Sequence, residues 1–274
     1  MRVFVTGSTG FIGSAVVREL IGAGHQVVGL TRSDNGAAFL KEVGAEARLG
    51  TIDDLDILRS AAADADGVIH LAFMHDFTDF ANSLATDLRA VQAMGAGLEG
   101  SGKPFITTAH LNGEASDNAV LGLANVRSVV ATLSLSVHGE GDRHGLVPQL
   151  IDVARAKGVS AYVGDGSNSW SGVHRLDVAR MFRLALESAP AGSRIDGVGD
   201  EAVPFRDIAG VIGRHLNLPV VSIAPEEAEA HFGPFLAIVA AIDAPRTSAR
   251  TRELLGWQPT HPALIPDIEQ HYFG

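Results

Sequence analysis

Directly after an apolar run at the start of the chain stands Gly7-Ser8-Thr9-Gly10-Phe11-Ile12-Gly13, three glycines at intervals of three. The first glycine permits a tight turn, the second lets the backbone approach a pyrophosphate, and the third allows close contact between helix and strand. A helix that starts there presents free N–H groups and the positive end of its dipole to phosphate. At the end of the next apolar run stand Thr31, Arg32 and Ser33. A carboxylate at that place would suit the ribose hydroxyls of NAD, whereas a guanidinium with neighbouring hydroxyls suits the 2′-phosphate of NADP. The spacing therefore predicts dinucleotide binding, with NADP favoured over NAD, although Asp34 is close enough to compete for Arg32. Further on, Thr108 ends another short run, with Thr107 beside it on the cofactor side and His110 just beyond. A hydroxyl at a strand's carboxyl end is well placed beside a cofactor bound across a sheet, and an imidazole titrates near neutral pH. Thr108 and His110 are thus candidate catalytic groups; an ordinary strand-end hydroxyl and a solvated loop histidine are the competing readings.

Other chemistry finds less support. The stretch His138-Gly139-Glu140-Gly141-Asp142-Arg143-His144 offers imidazoles and carboxylates but no familiar ligand spacing, so no metal is expected. No serine lies in a Gly-x-Ser-x-Gly elbow, and cysteine is absent, which excludes thiolate and disulfide chemistry. Trp170, His231, Phe232, Phe235 and Trp257 could line an apolar cleft or simply fill a core, and Arg246 and Arg250 could meet phosphate or form surface ion pairs.

The secondary structure expected to carry these groups alternates between two patterns. Short β-branched runs at 2–6, 25–30, 45–49, 67–72, 104–108 and 126–133 are separated by helical patterns, the signature of βαβ units and a parallel sheet. Residues 11–23 place Ile12, Val16, Leu20 and Ile21 on one face. Asp53 is a candidate N-cap for the next helix, and 80–100 reads as a long helix with Leu84, Leu88, Val91 and Leu98 inward. The expected fold is α/β, a Rossmann doubly wound parallel sheet with a smaller C-terminal substrate lobe. Residues 1–137, with returning segments near 172–199, would form the dinucleotide domain; 138–171 and 200–274 would form the lobe. The 274 residues carry 21 basic and 32 acidic side chains, a net charge of −11, which disfavours nucleic acid or an anionic membrane as partner. The amino terminus reads as a buried strand, and no apolar stretch is long enough to span a bilayer, so a cytoplasmic protein, monomer or homodimer, with a small-molecule substrate is expected.

These motifs resemble the short-chain dehydrogenase/reductase superfamily, in its extended or atypical branch near the NAD-dependent epimerase/dehydratase group. The resemblance rests on the Gly7-Gly10-Gly13 spacing, Gly50-Thr51-Ile52-Asp53-Asp54, Asp66-Gly67-Val68-Ile69-His70-Leu71-Ala72, Gly172-Val173-His174-Arg175-Leu176-Asp177-Val178-Ala179 and Leu254-Leu255-Gly256-Trp257-Gln258-Pro259-Thr260. It implies that Ile52 or Asp53 lies by the adenine and that Leu71, Ala72 and Phe73 line the nicotinamide side. Thr51 stands where family members often carry Asp. His174 and Asp177 match a segment that supports the cleft, and hydrogen bonds that fix local structure explain them equally well.

The resemblance breaks at the acid. Reductases of this superfamily usually carry Tyr and, four positions later, Lys on the helix between strands five and six, and here residues 109–125 hold neither. Thr108 matches the family's catalytic Ser or Thr, while His110 or ordered water stands in for the missing proton donor. The leading expectation is an NADP-dependent oxidoreductase that passes hydride between nicotinamide and a small carbonyl or imine. A catalytically silent NADP(H)-binding sensor and an epimerase or isomerase are the alternatives.

Overall fold

The computed structural model describes residues 1–74, 76 and 79–273. The chain divides into two compact units, the first built from Met1–Thr132, Val178–Ile195 and Arg250–Trp257, the second from Leu133–Asp177, Asp196–Ala249 and Gln258–Gly274.

In the first unit the order is β1 (Arg2–Thr6), α1 (Phe11–Gly22), β2 (Gln26–Thr31), α2 (Asp34–Glu42), β3 (Glu46–Leu49), α3 (Leu55–Asp64), β4 (Gly67–His70), α4 (Phe80–Leu98), β5 (Pro104–Thr108), α5 (Glu114–Leu121) and β6 (Arg127–Leu133). The second unit contributes β7 (Ser136–His138), α6 (Leu146–Lys157), β8 (Ser160–Val163) and β9 (Ser169–His174). The chain continues through α7 (Arg175–Ser188), β10 (Ser193–Gly197), β11 (Asp200–Pro204), α8 (Phe205–Leu216), β12 (Val220–Ile223), α9 (Ala228–Phe232), α10 (Pro234–Ala241), α11 (Ala249–Leu255) and α12 (Leu264–His271).

A seven-stranded sheet runs in the order β10-β6-β5-β4-β1-β2-β3, with parallel pairing from β6 through β3. The chain moves outward from β1 through β2 to β3, then returns to β4 and moves outward the other way. The order therefore reverses between β1 and β4, and the crevice at the carboxyl ends of those strands is where ligands of such sheets lie. Burial on both faces explains why Val3, Phe4 and Val5 are all apolar and fully inaccessible. Phe4, Leu58, Val68, Met94, Leu98, Phe105 and Val130 belong to one buried cluster beneath the sheet. At the amino end of β6 the Arg127 guanidinium donates to the carbonyls of Ala185, Leu186 and Ala189, satisfying the last turn of α7 with a cation.

Several expectations are corrected. The third helix starts after Asp54, not Asp53, and neither carboxylate caps it: Asp54 Oδ2 accepts from the Thr51 N–H at 2.7 Å and from its hydroxyl at 2.9 Å. The predicted run 67–72 ends at His70, because Leu71 and Ala72 turn their amides to a side chain instead of to β5. On α4 the buried line is Ser83, Thr86, Asp87, Ala90, Val91, Met94 and Leu98, with Leu84 and Leu88 only partly covered. The expected return to the sheet near 172–199 is divided, since β10 joins the seven-stranded sheet while β9 pairs with β11 and β7 in a separate three-stranded sheet.

The second unit has its own core, in which Trp170 packs against Phe205 and donates its indole N–H to the Val239 carbonyl at 3.0 Å. Trp170 and Trp257, the chain's two tryptophans, are both fully buried, one in each unit. Four histidines gather in the second unit. His138 Nδ1 lies 2.9 Å from Asp267 Oδ2, both fully buried; His261 Nδ1 lies 3.0 Å from Asp177 Oδ1; and the His174 ring stacks on His261 with centroids 4.8 Å apart. His271 Nε2 lies 3.8 Å from Asp267 Oδ1. His174 Nδ1 accepts the Leu176 N–H. Burial pushes the His174 imidazole down to about 4, the neighbouring His138 and His261 adding to the effect and Asp267 opposing it.

An imidazole that resists protonation when folded leaves the unfolded chain to bind the proton first. Its contribution is therefore complete above the ordinary value of 6.5 and is lost as pH falls toward about 4. Urea unfolding followed between those limits is expected to lose about 2 kcal/mol through this group after allowance for solvent screening. His174→Asn, which keeps an acceptor for Leu176 N–H but no titrating ring, is expected to flatten that part of the slope.

Candidate active site

The site is built on three strand ends. After β1 the chain turns at Gly7, whose φ of 64° is left-handed. A Cβ there would lie 2.8 Å from the Ala72 nitrogen and 2.8 Å from the Leu71 carbonyl carbon, so only glycine admits the backbone that leaves β4. A Cβ on Gly13 would come within 1.9 Å of the Gly7 oxygen, so the first turn of α1 rests directly on the loop. Gly10, the N-cap of α1, is exposed and has no side chain to satisfy the helix's first amides. The loop thus leaves a cradle of backbone N–H groups open at the crevice, which fits the pyrophosphate of a dinucleotide.

The expected cofactor residues fall into two groups. Gly7, Thr9, Gly10, Phe11 and Ile12 lie at least partly accessible along the loop and helix start, while Ser8 is fully buried and donates its hydroxyl to the Leu30 carbonyl at 2.8 Å. Ser8 therefore ties β1 to β2 instead of facing the crevice. Thr31 is likewise buried, its hydroxyl set beneath Gly36, where a Cβ would lie 2.0 Å away. Ser33 caps α2 by accepting the Gly36 N–H. Arg32 is exposed, and among the described residues no hydrogen bond or ion pair engages its guanidinium; Asp34 makes none with it. Ile52 is buried and Asp53 exposed, the latter 3.7 Å from Arg89 Nη2. Leu71, Ala72 and Phe73 are partly exposed after β4, and Thr107 is buried level with His70 in the β4–β5 register.

Around Thr108 the structure gathers side chains that sequence reading did not select. Thr108 Oγ1 lies 3.4 Å from His110 Nε2, and the His110 ring stacks on Phe73, centroids 3.9 Å apart. Beneath them, His70 Nε2 lies 3.1 Å from Asp87 Oδ1, and Ser116 donates its hydroxyl to Asp87 Oδ2 at 2.6 Å. His70 Nδ1 lies 2.6 Å from Thr6 Oγ1, which also accepts the N–H groups of Leu71 and Ala72 at 3.2 Å each. Burial pushes the Asp87 carboxyl up, but its interactions with His70, the Ser116 hydroxyl and the His110 imidazole outweigh this and hold it below the usual range. The one available signal for Asp87 was a carboxylate in register with the apolar line Val91, Met94 and Leu98 on α4.

The absent Tyr–Lys pair has a structural counterpart in α5, which has eight residues and carries neither type. Tyr272 donates to Asp142 and accepts the Gly139 N–H, and burial pushes its phenol well above the ordinary value. The 138–144 stretch does not converge: His138 is committed to Asp267, Asp142 to Gly145 N–H and Tyr272, and Glu140 and His144 are exposed. Among the described residues no three such side chains could hold a metal ion, and no helix is long and apolar enough to cross a membrane.

A seven-stranded sheet flanked by helices, with its strand order reversing beside a glycine-rich turn, defines a Rossmann-like α/β protein. The sequence profile of the NAD dependent epimerase/dehydratase family matches residues 3–95. A Schizosaccharomyces pombe protein of uncharacterised activity is 44% identical over 292 aligned positions, covering 98% of each chain. The 2-alkyl-3-oxoalkanoate reductase of Stenotrophomonas maltophilia is 28% identical over 262 positions, 82% of this chain and 78% of that protein. The dTDP-glucose 4,6-dehydratase of Streptomyces venezuelae, solved with NAD and TYD bound, superposes with a TM-score of 0.75 at 18% identity over 98% of this chain and 95% of that one. The chain belongs to the NAD-dependent epimerase/dehydratase family.

Removing the Thr6 hydroxyl tests how far the strand ends depend on it. Thr6→Val keeps the shape but leaves His70 Nδ1 and two amides without their partner, and a loss of about 2–4 kcal/mol in urea unfolding is expected. Faster hydrogen exchange at Leu71 and Ala72 should accompany it.

Proposed function

We propose that this chain is an NADP-dependent oxidoreductase that interconverts a small carbonyl or imine and the corresponding alcohol or amine. The observation that carries the reading is the meeting of the Thr108 hydroxyl and the His110 imidazole, 3.4 Å apart, at the carboxyl end of β5 in a sheet whose order reverses at β1 and β4. Support for a nicotinamide dinucleotide comes from the Gly7–Gly13 cradle, with Leu71, Ala72 and Phe73 on the nicotinamide side and Ile52 and Asp53 toward the adenine. Support for NADP comes from Arg32 beyond β2, unengaged among the described residues, whose fork of donors matches a phosphate. The second unit would serve as the substrate lobe.

When bound, the nicotinamide supplies or accepts the hydride at the substrate carbon. Thr108 binds the substrate heteroatom and sets its distance from His110. In the reductive direction, His110 gives its Nε2 proton to that atom as negative charge develops there, and in the oxidative direction it takes the proton back. The partly exposed His110 ring exchanges its proton with solvent between turnovers.

A second reading, a catalytically silent NADP(H)-binding sensor, is favoured by α5, which carries neither member of the family's acid pair. Anaerobic single-turnover oxidation of NADPH with ketones, aldehydes and imines separates the two. Oxidation that falls about 100-fold in His110→Ala supports the enzyme; tight binding without oxidation of NADPH by any of them supports the sensor. Arg32→Ala is expected to raise KM for NADPH by about 10–100-fold, the loss of a charge-assisted pair, and to leave that for NADH within about two-fold.

A further inference from the structure

Asp87 is an anion with almost no access to water. Its side chain is 2% exposed, and among the described residues its two direct hydrogen bonds come from His70 and Ser116. The Ser116 donor is neutral. The state of His70 follows from its other nitrogen. Thr6 Oγ1 already accepts the N–H groups of Leu71 and Ala72, so its own single hydrogen points to His70 Nδ1, 2.6 Å away. His70 Nδ1 is then an acceptor, its one proton sits on Nε2, and the ring that faces Asp87 is neutral. Two neutral donors leave the carboxylate's charge uncompensated, and a buried charge without a counter-charge costs several kcal/mol.

The compensating group is His110, whose Nε2 lies 3.9 Å from Asp87 Oδ1. The same nitrogen faces Thr108 Oγ1 at 3.4 Å, and Phe73 fixes the ring plane. His110 therefore sits between a buried anion and the hydroxyl at the strand end. Among the described residues, α4 gives Asp87, β4 gives His70, β5 gives Thr108, and α5 turns Ser116 to Asp87. On the same helix Asp117 pairs with Arg194 at 2.7 Å, and Glu114 is exposed.

Resting on the oxidoreductase reading, we propose that Asp87 is the positioning residue of this site: its carboxylate holds the His110 imidazole as a cation against Thr108, so an Asp–His pair takes over the work of the absent Tyr–Lys pair. In reduction, the N–H bond at His110 Nε2 breaks as the O–H or N–H bond of the product forms. Asp87 stays ionised throughout and does not carry the proton. Loss of the proton leaves its buried charge unmatched, which drives uptake of a fresh proton by His110 through the exposed side of the ring. The link from Asp87 through His70 to Thr6 fixes the acid to the same strand ends that shape the Gly7 turn.

Histidine titrations by NMR on the protein alone test the pairing without cofactor. In Asp87→Asn the His110 midpoint is expected about one unit or more lower than in the parent protein, as loss of an opposite charge at that range requires. Asp87→Glu, which keeps the charge, should recover much of the difference. The coupling is mutual, so in His110→Ala, a change on a partly exposed loop, the Asp87 carboxyl should titrate at higher pH, read from its carbon shift. If Asp87→Asn fails to fold, this reciprocal measurement decides alone. With NADPH and a carbonyl that turns over, Asp87→Asn should lower kcat about 10–100-fold, move the loss of reductive activity to lower pH, and leave KM for NADPH within about two-fold. A fall in Tm with the His110 and Asp87 midpoints unmoved would make Asp87 a structural tie only and overturn the proposal. Absence of turnover with every carbonyl and imine, with the midpoints displaced as described, would sink the oxidoreductase reading while leaving the Asp87–His110 pairing intact.

Discussion

Most of the first unit's chemistry hangs on the separation of β1 and β4 at their carboxyl ends. The two strands run in register through Thr6 and His70, and beyond that point their connections leave in different directions. Thr6 terminates the ladder by accepting two amides from the departing β4 segment. Gly7 permits the departure, since its missing side chain is what lets that segment pass so close. A single polar atom and a single absent methyl group therefore decide where the sheet opens. The open start of α1 and the side chains gathered around Thr108 are both measured from that opening.

Much of this was legible in the sequence because it is local. The Gly7–Gly13 spacing, the continuous apolar runs of the parallel strands and the amphipathic pattern of α1 each report on neighbours a few positions apart, and the strand ends were placed to within a residue or two. The polar network was not legible for the opposite reason. Its bonds join residues 64, 17 and 29 positions apart, and such pairs leave no periodic trace. Asp87 in particular reads as a flaw in the apolar face of a helix until His70 and Ser116 are brought to it.

At individual side chains, local structure competes with the roles expected of them. Ser8 and Thr31 belong to segments expected to meet a dinucleotide, and their own hydroxyls are spent holding strands and helix together. Asp53 and Asp54 compete for one helix start, and Thr51, with two donors to offer, draws Asp54 away from it. In the later part of the chain β9 and α7 are contiguous in sequence but serve different units, so a reading that follows periodicity along the chain assigns them together.

The placement of the two tryptophans gives the protein an internal pair of optical probes. Trp257 is enclosed in the first unit and Trp170 in the second, and neither touches water. With one indole replaced by phenylalanine, the remaining emission follows the melting of a single unit. Two such singly labelled proteins report whether the chain unravels as one cooperative body or as halves, a distinction that absorbance or circular dichroism would average away.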